Sequence, residues 1–98
     1  GSEACAKIRA VTAVLCFLGT NAIDAEHGIT DNAWEVVQLK KAMIESCKKV
    51  ICLSIAEKVS TVQPIQVCGL GDIDTLITEL DPGNPVLQAY VDAGVEVL

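Results

Sequence analysis

Apolar residues fall along this chain in short unbroken blocks, separated by polar turns, and each block has the length of a strand. "AVLCFLG" (residues 13–19) does not alternate with polar positions, so it reads as a strand buried on both faces. "VICLS" (50–54) has the same character, and "PIQVC" (64–68), "TLIT" (75–78) and the closing "VEVL" (95–98) add three shorter strands. Between the first two blocks the period changes. "DNAWEVVQLKKAMIESCKK" (31–49) sets Val36, Leu39, Met43 and Cys47, with Val37 and Ile44 beside them, on one helical arc. Asn32 followed three residues later by Glu35 fits a capping box, and Lys48-Lys49 would close the helix with charge that suits its dipole.

Two further segments have helical grammar. "SEACAKIRAV" (2–11) suits a short opening helix, with Ser2 as its cap and Glu3 near its positive end. "DPGNPVLQAYVDAG" (81–94) reads as a turn and a helix: Asn84 caps it, Pro85 takes its first position and Gly94 falls just past its end. The predicted order is helix, strand, helix, strand, strand, strand, helix, strand. That alternation implies an α/β fold, a mostly parallel sheet with flanking helices, in one domain without repeats.

Composition narrows this picture in three places. The chain has 98 residues, enough for one small core, and is 51% hydrophobic with 3% aromatic residues, which excludes a disordered segment. A net charge of −6 argues against a free-standing nucleic-acid binder, although one or two placed donors suffice for a small anion. The five cysteines form no C-x-x-C pair and sit among aliphatic residues, so they read as buried reduced thiols of a cytoplasmic protein. Neither a metal site nor a bound cofactor is expected, and no apolar stretch is long enough to imply a membrane partner.

Ligands of parallel sheets collect outside the carboxyl ends of the strands. Two polar loops occupy such ends here: "GTNAIDAEHGIT" (19–30) after the first strand and "SIAEKVS" (54–60) after the second. Gly19, Thr20 and Asn21 offer backbone N–H groups, a hydroxyl and an amide for a hydroxylated or phosphorylated ligand, or form a plain connection. Asp24 suits a sugar hydroxyl or a turn; His27, without a nucleophile or second ligand at useful spacing, suits an exposed loop. Lys40 falls inside the apolar arc of its helix. It either snorkels to an edge or sends its ammonium to a ligand or an acidic partner at the sheet end. Glu35 has a role as the capping-box acid, and Lys58 is a solvated loop lysine or an anchor for an anion.

Read in order, "FLGTNAID", "HGIT", "WEVVQLKKAMIESCKKVICLS", "IQVCGLGDIDTLITEL" and "AGVEVL" resemble the carboxyl-terminal sensor domain of DeoR-type bacterial transcriptional repressors. The loop closing on "GIT", the E-x-x-x-x-K-K-A-M-I helix and "DIDTLIT" carry the resemblance, and "TNAID" with "IAEKV" looks most like repressors of sugar-alcohol operons, galactitol utilisation among them. The resemblance implies a Rossmann-like fold related to the sugar-phosphate isomerases, and a chain that is a fragment of the full sensor domain. It also implies a phosphorylated sugar or sugar-alcohol effector, a homo-oligomer, and operator DNA bound only through an amino-terminal helix-turn-helix absent from this sequence.

The isomerase-like stretch D-G-A-D-E-I-D is similar to "LGTNAID", so Asn21 stands where a catalytic acid would be, and Asp24 keeps the last acidic position. An amide cannot serve as a general base. The element D-x-S-K appears as "IAEK": the resemblance keeps Lys58 as a phosphate contact, with Ile55 in place of the acid. Glu35 and Lys40 match polar positions of the family helix. No residue is assigned a catalytic role, and the effector residues implied are Gly19, Thr20, Asn21, Asp24, Glu35, Lys40 and Lys58. The alternatives are a small isomerase-like enzyme and a purely structural oligomerisation module.

Overall fold

The structure is a computed structural model and describes residues 2–10 and 13–98. In chain order the elements are α1 (Ser2–Arg9), β1 (Ala13–Gly19), β2 (Ala22–Asp24), β3 (Gly28–Asp31), α2 (Trp34–Glu45), β4 (Cys47–Leu53), β5 (Ile65–Cys68), β6 (Thr75–Ile77), α3 (Gln88–Asp92) and β7 (Glu96–Val97). Four of the strands form a parallel sheet in the order β1-β4-β6-β7. The predicted mostly parallel α/β sheet is therefore present. Val11, the last residue of the predicted opening helix, lies outside the described residues.

The polar loop after β1 is not a simple connection. It folds into a β2–β3 hairpin, and β5 adds to it to make a second, three-stranded antiparallel sheet. β5 joins that sheet rather than the parallel one because only a single 3₁₀ turn, Ala56–Lys58, separates it from β4. A parallel neighbour would need a longer crossover. The hairpin turn is tied by the Asp24 carboxylate, whose Oδ2 accepts from the Glu26 and His27 backbone N–H groups at 3.0 Å each. Gly28 closes the turn with φ at +74°, a conformation that costs glycine nothing.

Three local readings need correction. The cap of α2 is Ala33, which has no capping side chain, and Asn32 and Glu35 make no capping box. Asp31 does that work instead, its Oδ1 accepting from the Asn32 N–H at 2.7 Å and the Ala33 N–H at 3.3 Å. The helix also stops at Glu45, not at Lys49. Ser46 turns the chain by donating to the carbonyls of Ala42 and Ile8, and Lys48-Lys49 enter β4 as exposed strand residues paired along β1.

β1 is an edge strand, not one buried on both faces. Cys16 and Leu18 point into the core while Val14, Leu15 and Phe17 are 67%, 47% and 54% exposed. Leu15, Cys16 and Phe17, with Ile8, Met43 and Cys47, border an open apolar groove of about 510 Å³ beside α1.

The core runs between the two sheets. Leu18, Cys52 and Leu76 reach it from the parallel sheet, Ile23, Ile29 and Val67 from the antiparallel one, and Val37 from α2. Leu87 and Tyr90 close the far side, on the segment that Asn84 caps by accepting from the Val86 N–H at 3.0 Å, as the sequence implies. At the other end α1 lies on α2, held by the ion pair of Arg9 Nε with Glu45 Oε2 at 2.7 Å. No helix among the described residues is long and apolar enough to cross a membrane.

Candidate functional site

β1 and β4 are parallel neighbours, and Gly19 pairs with Leu53, so the two polar loops leave the sheet side by side. They are then stitched together. Ile23 of β2 forms a parallel bridge with Val59, and its carbonyl accepts from the Thr61 N–H at 3.1 Å. Lys58 precedes Val59 and is thereby held beside the start of the hairpin. Its ammonium makes no ion pair among the described residues.

On the other side of the β1 end stands Lys40. Its ammonium donates to the Gly19 carbonyl at 2.8 Å and lies 3.3 Å from Asp31 Oδ2. Of the two destinations open to this lysine, an acidic partner at the sheet end is the one observed. The partner is nearly buried, at 4% exposure, and also receives the Asn21 amide at 3.5 Å. The Thr20 hydroxyl turns inward and shares a hydrogen bond with the Cys52 thiol at 2.6 Å. Gly19, Thr20, Asn21 and Lys40 thus form one connected group, with Lys58 reached through the Ile23–Val59 bridge.

The remaining two candidates sit apart from it. Asp24 is at the hairpin tip, committed to turn N–H groups and to His27 Nδ1 at 2.8 Å. The His27 contacts, ring first and then backbone, hold its carboxyl below the usual range. Glu35 lines a smaller recess between α1 and α2 with Ser2, Cys5, Arg9, Trp34 and Gln38. Asp24, Glu26 and His27 also place three ligand atoms within 4.8 Å, but Asp24 Oδ2 is already shared among three donors.

Sequence reasoning missed two acids. Asp31 could have been found from the rule that a lysine on an apolar arc needs a partner. Glu79 carried no local signal: its Oε1 accepts from the Ala56 N–H at 2.8 Å, across the end of β4. That contact borders a shallow groove of about 620 Å³ lined by Leu53, Ser54, Ile55, Ile77, Thr78 and Glu79.

Burial pushes the Asp31 carboxyl up, but the N–H groups of Asn32 and Ala33 and the Lys40 ammonium outweigh it and hold the group below its usual value. A carboxyl lower in the folded than in the unfolded chain contributes stability above the unfolded value near ~3.9, and that contribution is lost as pH falls through the folded one. Acid titration of folding should therefore show the native chain losing stability below about pH 4. Asp31→Asn, less stable at neutral pH, should lose less over the same interval; equal acid slopes would show that Asp31 is not a source of the loss.

A model of the DeoR C terminal sensor domain matches residues 1–80 of the chain. This protein belongs to that family. The HTH-type transcriptional regulator GlpR of Haloferax volcanii is 35% identical over 84 residues, covering 86% of the chain and 33% of the relative. The HTH-type transcriptional repressor GlcR of Bacillus subtilis is 35% identical over 74 residues, 76% of the chain and 29% of the relative. The HTH-type transcriptional regulator GolR of Listeria innocua is 28% identical over 91 residues, 92% of the chain and 35% of the relative. The chain spans about a third of the length of these curated relatives, two of them named as transcriptional regulators and one as a transcriptional repressor.

Within the sensor domain, membership in the family joins the geometry at one point. The match includes both strand-end loops and Lys58, which makes no ion pair among the described residues.

Proposed function

We propose that this chain is the effector-sensing part of a sugar-operon transcriptional repressor, and that the crevice between the β1 and β4 ends binds a phosphorylated sugar or sugar alcohol. Lys58 takes the phosphate, and Gly19, Thr20 and Asn21 take hydroxyls through backbone and side-chain groups. Occupancy then changes how tightly an amino-terminal helix-turn-helix domain of the same repressor holds its operator. The observation that carries the reading is the contrast between the two lysines: Lys40 is neutralised by Asp31, whereas Lys58 stands beside the hairpin with no acid paired to it among the described residues.

An enzyme would need a carboxylate free to move a proton. Asp31 accepts four hydrogen bonds and is nearly buried, Asp24 is spent on its turn, and position 21 is an amide. These commitments support a sensor over an isomerase. The same reading includes a homo-oligomer, supported by the unpaired edge of β1 and its exposed Val14 and Phe17.

Thermal melting against hexose, hexitol and pentose phosphates, with the unphosphorylated parents as controls, tests the proposal. A ligand at a hundredfold excess over its Kd adds about 2.7 kcal/mol to the native state. For a domain of this size that raises the midpoint by on the order of 10 °C. We expect one phosphate to do so and its parent not to, and both Lys58→Ala and Asn21→Ala to reduce the rise. A flat panel on the complete repressor, or a rise that survives Lys58→Ala undiminished, would sink it.

A further inference from the structure

Apart from the Tyr90 hydroxyl and the cysteine thiols, the polar side chains buried among the described residues are those of Thr30, Asp31 and Ser54. Thr30 serves the backbone by accepting from the Gln63 N–H at 2.8 Å, and Ser54 donates to the Ile55 carbonyl at 3.2 Å. Asp31 alone brings a formal charge inside, and an isolated carboxylate there would cost several kcal/mol. Its two oxygens divide the compensation. Oδ1 takes the Asn32 and Ala33 N–H groups that open α2, together with the Asn21 amide. Oδ2 faces the Lys40 ammonium, which reaches past it to the Gly19 carbonyl.

Lys40 is held from both directions. Its side chain is 16% exposed, so without an anion beside it the ammonium would be drawn outward to water. The Gly19 carbonyl would then lose its donor. Because a trans peptide is planar, the direction of that carbonyl also fixes the direction of the Thr20 N–H. One charge on β3 therefore sets the backbone at the mouth of β1 and restrains the Asn21 amide.

We infer that Asp31 is a positioning residue of the crevice: its negative charge, acting through Lys40, holds the Gly19–Thr20 peptide and Asn21 in the arrangement that receives a ligand. It does not itself touch the ligand. The inference rests on the functional reading above for what the crevice binds, but its structural half can be read with no ligand present. Asp31→Asn is the informative change, because an asparagine Oδ1 still accepts from Asn32 and Ala33 while the charge facing Lys40 is gone.

The experiment is a double-mutant cycle of Asp31→Asn and Lys40→Met, read by amide NMR and by titration with sorbitol 6-phosphate and inorganic phosphate. Asp31→Asn should move the Gly19 and Thr20 backbone signals and the Asn21 side-chain amide. In the Lys40→Met background it should move the Gly19 and Thr20 signals no further, since contacting residues that act as a unit are not additive. Where sorbitol 6-phosphate or inorganic phosphate binds the native chain, each single variant should weaken it at least tenfold and the double variant no more than the worse single.

A purely structural Asp31 would give the opposite: additive signal changes, lower stability and unchanged affinity. Residues 19–21 unmoved by Asp31→Asn would also overturn the inference. Should that variant fail to fold, Lys40→Met alone must still move the Gly19 and Thr20 signals. If neither probe nor any other sugar phosphate binds the complete repressor, the functional reading falls, while the NMR cycle still decides whether Asp31 positions the loop.

Discussion

Gly28→Ala should be among the most damaging single substitutions in the chain. A Cβ at that position would sit 2.1 Å from the Cys68 carbonyl oxygen and 2.7 Å from the Gly69 Cα, and both are backbone atoms that cannot swing aside. The residue also has φ at +74°, where a side chain adds a conformational cost of about 1 kcal/mol. The clash can be relieved only by moving β3 away from β5, which opens the antiparallel sheet and carries Asp31 out of reach of Lys40. We expect a loss of about 3 kcal/mol or more, in the upper range of point substitutions, with the thermal midpoint lower by roughly 12 °C at least. Gly94 is the internal control. Its φ is +94°, but nothing lies within 4 Å of the added carbon, so Gly94→Ala should cost only the conformational part. Thermal unfolding of the two variants side by side is the measurement, and equal losses would refute the close-contact account.

The second large effect is expected at Tyr90. Its ring is fully buried, and its hydroxyl donates to the Ile23 carbonyl at 3.3 Å and accepts from the Ser60 N–H at 3.2 Å. One side chain on α3 thereby ties β2 to the turn just after Lys58. Tyr90→Ala removes both the packing and the tie and should cost about 3–5 kcal/mol. Tyr90→Phe keeps the ring and leaves the Ser60 N–H without its partner, while the Ile23 carbonyl keeps the Thr61 N–H, for a loss of about 1 kcal/mol. Chemical denaturation separates the two terms. If Tyr90→Phe were neutral, the hydroxyl would not be holding the loop, and the placement of Lys58 would have to depend on the Ile23–Val59 bridge alone.

The parts of the fold that could be read in advance are those whose cause is local. β1 shows as an apolar block ending at Gly19, and the Asn84-Pro85 start and Gly94 end of the last helical segment are written in residues that only such positions favour. The hairpin was hidden for the opposite reason. Ala22–Asp24 and Gly28–Asp31 are too short to show a period, and they are strands because β5 and Val59 pair with them from more than thirty residues away. The end of α2 was misplaced likewise: Lys48 and Lys49 are good helix residues, but pairing along β1 recruits them into β4. In the crevice, the apolar arc around Lys40 raises the question of its partner without supplying the answer. Asn32 looked like the cap, while the carboxylate one residue earlier takes the helix N–H groups because the same position can also meet Lys40. The β1 edge was misread as covered because apolar composition says which residues avoid water, not how many neighbours a strand has.

Four of the five cysteines lie buried, one each in α1 (Cys5), β1 (Cys16), β4 (Cys52) and β5 (Cys68). Burial pushes the Cys16 thiol up to about 11 and the Cys68 thiol to about 12, and raises Cys52 as well, so these three are shielded from reagents both by access and by protonation, and Cys5 by access. A thiol in that state reacts only when its own part of the molecule opens. The native chain therefore carries its own stopwatch: the order in which these four sulfurs become alkylated in solution ranks the opening of the α1 end, the two parallel strands and the antiparallel sheet, without a single engineered label.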